Sequence, residues 1–423
     1  MLSGLPLAQA ANSLTDDTIK IALIGCGGRG TGATLQALLT QQNVKLVAMA
    51  DAFRGRLDEA YNSLIADDIS DTAGVEGSVK NRVDVPEERK YVGFDAYHKA
   101  MKHADVVILA TPPGFRPTHF AEAVAQGKQI FMEKPVATDA VGIRKVLAAA
   151  EEAKRKKLNV VVGLQRHYQT VYRQWVDRLQ NGVIGDIVAS RVYWNMGELW
   201  VHPRKPGQTE MEYQMTNWYY FNWLCGDHIT EQHVHNLDVS NWVKQAYPVK
   251  AHGSGGRQVR VGKDFGEIFD HHTIEYEYAD GSRMFSQCRQ IPGAKDSVTE
   301  GFHGTNGSAP APGKIFTRSG YRIFDHDDKN DPNPYQVEHD ELFAAIAKGE
   351  YKFADAENAA KSTMTAIMGR MATYSGQPVE WDAALHSDIS LMPDKLSWDA
   401  MPKVLPGPDG LYPCAIPGVT KVM

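Results

Sequence analysis

The run Ile19-Lys20-Ile21-Ala22-Leu23-Ile24 passes without a break into Gly25-Cys26-Gly27-Gly28-Arg29-Gly30, and a helix-compatible segment, Thr34 to Leu39, follows. A strand buried on both faces reads as a nearly continuous apolar run rather than as alternation, which is the character of residues 19–24. A second such run, Lys45 to Ala50, ends on Asp51. Strand, glycine turn, helix, strand and acid in this order form the context in which a GxGxxG sequence binds a dinucleotide; the glycines alone would say little. Gly25 permits the tight turn, Gly27 lets the backbone approach a pyrophosphate, and Gly30 lets the helix pack close to the sheet, with Gly28 and Arg29 between them. The pyrophosphate then sits over unpaired N–H groups at a helix start. Asp51 accepts from both ribose hydroxyls and would repel a 2′-phosphate, so NAD is expected ahead of NADP. Arg54 and Arg56, just beyond, partly offset that repulsion.

The same pattern continues downstream. Val106 to Ala110 is another buried strand, stopped by Thr111-Pro112-Pro113, and such a loop at the carboxyl end of a parallel strand faces the ligand crevice. A helix over His119 to Gln126 stops at Gly127, with His119 placed to pack or cap the cofactor loop. The strand Gln129 to Met132 leads into Glu133-Lys134-Pro135, where the proline restricts the lysine backbone. A helix over residues 139–157 and a last strand, Asn159 to Gly163, close the unit.

The chain has 423 residues, too many for one ordinary core, so at least two domains are expected. A 43% apolar and 23% charged composition excludes a wholly disordered or fibrous chain. A net charge of -6 advertises neither nucleic acid nor an anionic membrane surface, and no apolar run reaches membrane-spanning length. Four scattered cysteines form no CxxC pair. Leu2, Leu5 and Leu7 precede Ala8-Gln9-Ala10, a small-x-small pattern read as the trimmed tail of an export signal. Residues 1–17 are therefore set apart from the fold. A periplasmic or otherwise exported location is expected, with the cytoplasm as the alternative.

The glycine motif, Thr111-Pro112 with His119, Glu133-Lys134-Pro135-Val136-Ala137 and Gly163-Leu164-Gln165-Arg166-His167-Tyr168 together resemble the Gfo/Idh/MocA oxidoreductases, the glucose–fructose oxidoreductase or inositol dehydrogenase family. The resemblance implies a Rossmann NAD(P)-binding domain over residues 18–163. It also implies a substrate-binding and oligomerisation α/β domain over residues 164–423, with a large, mostly antiparallel open sheet. Residues 198–225 and 290–334 look like insertions or variable loops. Independently, His272 to Tyr278 alternates as a half-buried strand and Ile187 to Trp194 is strand-like. Val171 to Leu179, Glu338 to Ala347 and Ala356 to Tyr374 read as helices. Trp194, Trp200, Trp218, Tyr219, Tyr220, Phe221 and Trp223 crowd among polar residues, as stacking on a sugar ring requires.

The densest chemistry is Glu231-Gln232-His233-Val234-His235-Asn236-Leu237-Asp238. Relatives carry an Asp, a Gly two later, a catalytic His two after that, and an Asp three further. The matching positions are Glu231, His233, His235 and Asp238, so this chain departs at the first two. The resemblance makes Lys134 the neighbour of His235. His235 is then the general base that takes the hydroxyl proton, and the Lys134 ammonium stabilises alkoxide character. Glu231 orients His235 or binds a hydroxyl, and His233 stands in or just behind the pocket wall, with general acid or a core residue as alternatives. Arg166, His167, Tyr168, Trp194 and Asp238 are substrate-binding candidates. Bound metal is not expected, although Glu231, His233 and His235 would share one face of a strand.

The expected activity is NAD-dependent oxidation of a secondary hydroxyl of a carbohydrate, glycoside or cyclitol, on a retained and recycled cofactor. The alternative is an NAD-dependent glycoside hydrolase working by transient ring oxidation, elimination and hydration, with His233, Tyr168 or Glu231 as extra acid or base. No nucleic-acid partner is expected, and the assembly is a homodimer or homotetramer.

Overall fold

The computed structural model describes residues 17–69 and 77–423; the leader expectation falls outside them. Six parallel strands form the first sheet: β1 (Ile19–Ile24), β2 (Val44–Asp51), β3 (Lys90–Val92), β4 (Val106–Leu109), β5 (Gln129–Met132) and β6 (Val160–Val162), in the order β3-β2-β1-β4-β5-β6. This is a Rossmann sheet, reversing direction of growth between β1 and β4, where a crevice opens at the carboxyl ends of the strands. The residues of β4 are all buried, as strands covered on both faces require. The helix after the glycine turn begins at Gly28, six residues before its apolar pattern becomes evident, because Gly28, Gly30 and Gly32 carry no side chains to show the period.

The second sheet has nine strands: β7 (Ile187–Met196), β8 (Lys250–Gly256), β9 (His271–Glu277), β10 (Arg283–Gln290), β11 (Ser297–Gly304), β12 (Gly307–Ala311), β13 (Lys314–Thr317), β14 (Arg322–Asp325) and β15 (Val379–Glu380), ordered β14-β13-β12-β11-β7-β10-β9-β8-β15. Only β7 and β10 pair in parallel. Residues 290–334 are therefore not merely variable loops: they supply β11 to β14, whose short runs interrupted by glycines hide the alternation. Helices Val234–Lys244 and Ala356–Ser375 cover one face. The long helix also packs on Ala140–Arg155 and joins the two sheets' cores.

Residues 198–225 fold into short helices, Glu210–Thr216 and Asn222–Cys225, around a core of Tyr213, Tyr219, Tyr220, Phe221 and Trp223. Residues after 386 carry no regular element, yet they are bound into this core. Arg204 donates to Tyr412 Oη at 2.9 Å and Gln214 Nε2 donates to the Val404 carbonyl at 2.8 Å, while Arg144, on the helix Ala140–Arg155, donates to the Ser387 carbonyl.

Candidate active site

A crevice of about 600 Å³ lies over the carboxyl ends of the first sheet. One wall is backbone. Gly25 has φ +95°, and a Cβ there would stand 2.4 Å from the Thr111 nitrogen; a Cβ on Gly30 would stand 2.0 Å from the Gly25 carbonyl oxygen. These two glycines are required by close approach of protein to protein. A Cβ on Gly27 or Gly28 would meet no protein atom within 4 Å. Their lack of a side chain instead leaves room over the helix N-terminus, the place a pyrophosphate takes. The Asp51 carboxylate is held by the Cys26 and Phe53 N–H groups at 2.7 and 2.8 Å. Burial pushes its pKa up, and those N–H groups oppose the rise. The residues thus fit a dinucleotide.

Arg54 does not join this wall. It pairs with Asp58 and Glu87 on the surface, and Arg56, two residues on, lines the crevice instead. Arg29 pairs with Glu133 at 2.5 Å and lies over the Tyr335 ring. Thr111 and Pro112 line the crevice together with His119, whose Nδ1 is 3.2 Å from Thr111 Oγ1. Burial drives the His119 pKa down to about 3, so a neutral ring packs against Tyr97 and Phe115.

The opposite wall carries the charges. The Lys134 Nζ donates to the Glu231 carbonyl at 2.5 Å and to its carboxylate at 3.0 Å. Burial pushes the Glu231 carboxyl up, and the Lys134 ammonium draws it part of the way back. Glu231 therefore positions the lysine. His235 lines the same space, stacked on Trp194 with ring centroids 5.8 Å apart. Its Nδ1 is buried without a partner, leaving Nε2 as the nitrogen with access to the crevice. Burial, and then the Lys134 and Arg166 cations, hold its pKa well below 6.5. His235 is a neutral base at neutral pH.

His233 is turned elsewhere. The helix His228–Glu231 ends at Gln232, the next starts at Val234, and His233 at the break sends Nε2 to Ser286 Oγ on β10 at 2.7 Å. It is fully buried and does not line the crevice, so it is neither wall nor general acid. Glu231, His233 and His235 consequently do not converge on a metal. Asp227, His228 and His272 do lie together, but Asp227 already accepts from the Phe269 N–H and Tyr374 Oη, as well as from both imidazoles. That carboxylate is an anchor for the segment leading to Glu231. Burial disfavours its charge, but the imidazoles hold its pKa well down.

Four of the five substrate-binding candidates sit behind the wall. Arg166 pairs with Glu300 on β11, His167 with Asp238 at 2.6 Å, and Tyr168 Oη donates to Asp355 at 3.0 Å. Asp238 also accepts from Asn358 and Ser362. None of these four lines the crevice, whereas Trp194 does. Their neighbour Gln165 does too, with its Oε1 buried and unpartnered. Arg116, Gln232, Tyr335, Trp200, His202 and Trp218 also line it. The aromatic crowding hinted at Trp200 and Trp218; nothing local marked Arg116 or Tyr335, which reach the crevice only through tertiary packing. The Arg116 guanidinium caps the Leu109 and Thr111 carbonyls at 2.6 Å, and burial lowers its pKa to about 10.

Residues 19–163 match the model of the Gfo/Idh/MocA oxidoreductase family, NAD-binding Rossmann fold. The inositol 2-dehydrogenase of Serratia proteamaculans is 27% identical over 316 residues, 72% of this chain and 78% of that protein. Other curated inositol 2-dehydrogenases, from Burkholderia, are matched over 54% of their length. Among solved structures, scyllo-inositol dehydrogenase from Lactobacillus casei with bound NAD(H) and scyllo-inositol superposes with TM-score 0.61 at 19% identity, covering 86% of this chain and 99% of that one. The aldose-aldose oxidoreductase from Caulobacter crescentus complexed with glycerol gives 0.64 at 15%, with the same coverage. At these identities the likeness is one of fold.

Proposed function

We propose that this chain, which belongs to the Gfo/Idh/MocA oxidoreductase family, oxidises a secondary hydroxyl of a carbohydrate, glycoside or cyclitol with NAD. The observation that carries this reading is the meeting of Lys134, Glu231 and His235 on the crevice that the glycine loop and Asp51 also line. The relatives named above as inositol dehydrogenases support the polyol class.

Bound NAD supplies the hydride acceptor. The chain supplies the rest. A Lys ammonium has three N–H donors; two of Lys134's are held by Glu231, so the third is left to steady the oxygen that loses its proton. Neutral His235 receives that proton as the carbinol C–H bond breaks. Trp194 fixes the imidazole by stacking and gives the apolar face of a ring something to lie against. Asp51 favours NAD over NADP.

A retained, internally recycled cofactor belongs to the same reading, as does export. Trp398 packs on Phe53 and Phe94, with ring centroids 4.9 and 4.7 Å apart, and those two rings line the end of the crevice next to Asp51. Buttressing of this kind supports slow cofactor release. We also retain assembly as a homodimer or homotetramer, supported by Tyr193 and Phe285 on the uncovered face of the second sheet. The hydrolase alternative is less well supported, because two of its three candidate acids, His233 and Tyr168, are tied to other partners away from the crevice.

The test is to incubate the protein with NAD and a panel of myo-inositol, scyllo-inositol, hexoses and aryl glycosides. NADH absorbance or bound keto-sugar by mass spectrometry is expected. Released phenol without keto product would favour the hydrolase, and no product of either kind would overturn the oxidoreductase.

A further inference from the structure

Gln232 stands between Glu231 and the displaced His233, and its side chain lines the crevice. The orientation of an amide is decided by its hydrogen-bond network, and here the network has a fixed origin. Arg260 is 2% exposed, and among the described residues its guanidinium has no carboxylate within ion-pair distance. Its guanidinium, which can only donate, donates to the Phe269 carbonyl at 2.6 Å and to Gln290 Oε1. Gln290, fully buried, must therefore turn its NH₂ the other way; Nε2 donates to Tyr219 Oη and to Gln232 Oε1, both at 2.8 Å. The Gln232 carbonyl is thereby occupied, and its NH₂ is the end left for the crevice.

We propose that Gln232 is a substrate-binding residue whose amide is locked by Arg260 and Gln290 to present N–H donors to a second oxygen of the polyol, apart from the one that reacts. The inference rests on the oxidoreductase reading. An unpaired buried guanidinium is costly, and the relay gives it a consequence: it aims a polarised donor into the crevice that Lys134 and His235 also line. The crevice then distinguishes ligands by where they accept as well as where they donate. A ring bearing an oxygen opposite Gln232 is preferred over its deoxy counterpart.

Two variants test this. Gln232→Glu keeps shape and removes the donor. Gln290→Glu does not touch the crevice and gives Arg260 a carboxylate partner, so it should fold; its two acceptor oxygens force Gln232 to flip and turn its carbonyl to the crevice. With the best polyol of the panel, both should raise KM about tenfold, the size of one hydrogen bond of roughly 1–1.5 kcal/mol. The kcat change should stay within about twofold, and NADH affinity should not move. Among deoxy analogues, one should lose about tenfold with the wild type and nothing further with Gln232→Glu. Wild-type turnover with KM unaltered in Gln232→Glu overturns the proposal and leaves the oxidoreductase standing. An unchanged KM in Gln290→Glu alone overturns the relay. If the wild type neither reduces NAD with any polyol nor binds one to its NADH form by calorimetry, the oxidoreductase reading has failed, and the proposal falls with it.

Discussion

The two ends of the crevice are built from different materials. At the Asp51 end that carboxylate and Arg56 are set among backbone and apolar side chains, Gly27, Gly28, Phe53 and Phe94, with Trp398 packed on the two phenylalanines. At the other end Glu133, Lys134, Glu231, His235 and Arg116 line the crevice with little of their side chains exposed. The first end holds a ligand without changing charge. The second holds Glu231, His235 and Arg116 away from their ordinary pKa values, which is where proton transfer becomes possible. Damage to one end should therefore fall on cofactor retention, and damage to the other on turnover.

The largest effect is expected at the charged end. Lys134→Ala or His235→Ala should lower kcat by about 10²–10⁴, the usual contribution of a positioned acid–base group. NAD affinity by fluorescence titration should stay within about twofold. If both variants lose cofactor and activity in parallel, the two ends are not separable.

At the opposite end, Asp51→Ala removes an acceptor for ribose hydroxyls. NAD affinity should fall by about 10–100-fold, from the roughly 1.5–3 kcal/mol of hydrogen bonds to a charged group, while NADP affinity should fall less or rise. Arg54→Ala is the control: its surface pairs with Asp58 and Glu87 give no reason for any change in NAD affinity.

Trp398→Ala sharpens the contrast further. Trp398 meets the crevice wall through Phe53 and Phe94. Aromatic pairs contribute about 0.5–1.5 kcal/mol each beyond their area, so NAD should dissociate about tenfold faster, as read by stopped-flow displacement, with single-turnover oxidation nearly unchanged. Equal slowing of both steps would mean that the tail supports the catalytic end as well.

How much of this was legible in the sequence follows the same division. The Asp51 end is made by motifs within one strand–turn–helix–strand unit, so spacing alone places Gly25, Gly27, Gly30 and Asp51. It fails only where side chains choose between neighbours, as Arg54 and Arg56 do. At the charged end the wall comes from residues near 134, 165, 194, 231 and 335, which no local period connects. His233 and His235 look alike in the sequence. A helix break at Gln232 and His233 sends one ring to the sheet and the other to the crevice, a sorting that depends on where Ser286 and Trp194 lie. Arg166, His167 and Asp238 carry polar side chains that read as ligand-binding, but Glu300 takes up Arg166, His167 pairs with Asp238, and Ser362 and Asn358 hold Asp238 from more than a hundred residues away.

The smallest expected effect concerns pH. An ordinary imidazole, with a pKa of about 6.5, would lose most of its base form between pH 7.5 and 6, and the rate of alcohol oxidation would fall with it. Burial and the neighbouring Lys134 cation both disfavour protonated His235, so its pKa lies below that value. A lowered pKa keeps the neutral, proton-accepting form at more acidic pH. The acid limb of kcat/KM is therefore displaced downward, with a change of less than about twofold between pH 7.5 and 6. Removing the positive charge with Lys134→Met takes away one cause of the depression and leaves the larger one, burial. In the residual activity of that variant, the limb should move back toward 6.5 without reaching it. A wild-type limb centred at 6.5 would mean that the imidazole is solvated during turnover, and that the burial of the charged end does not survive substrate binding.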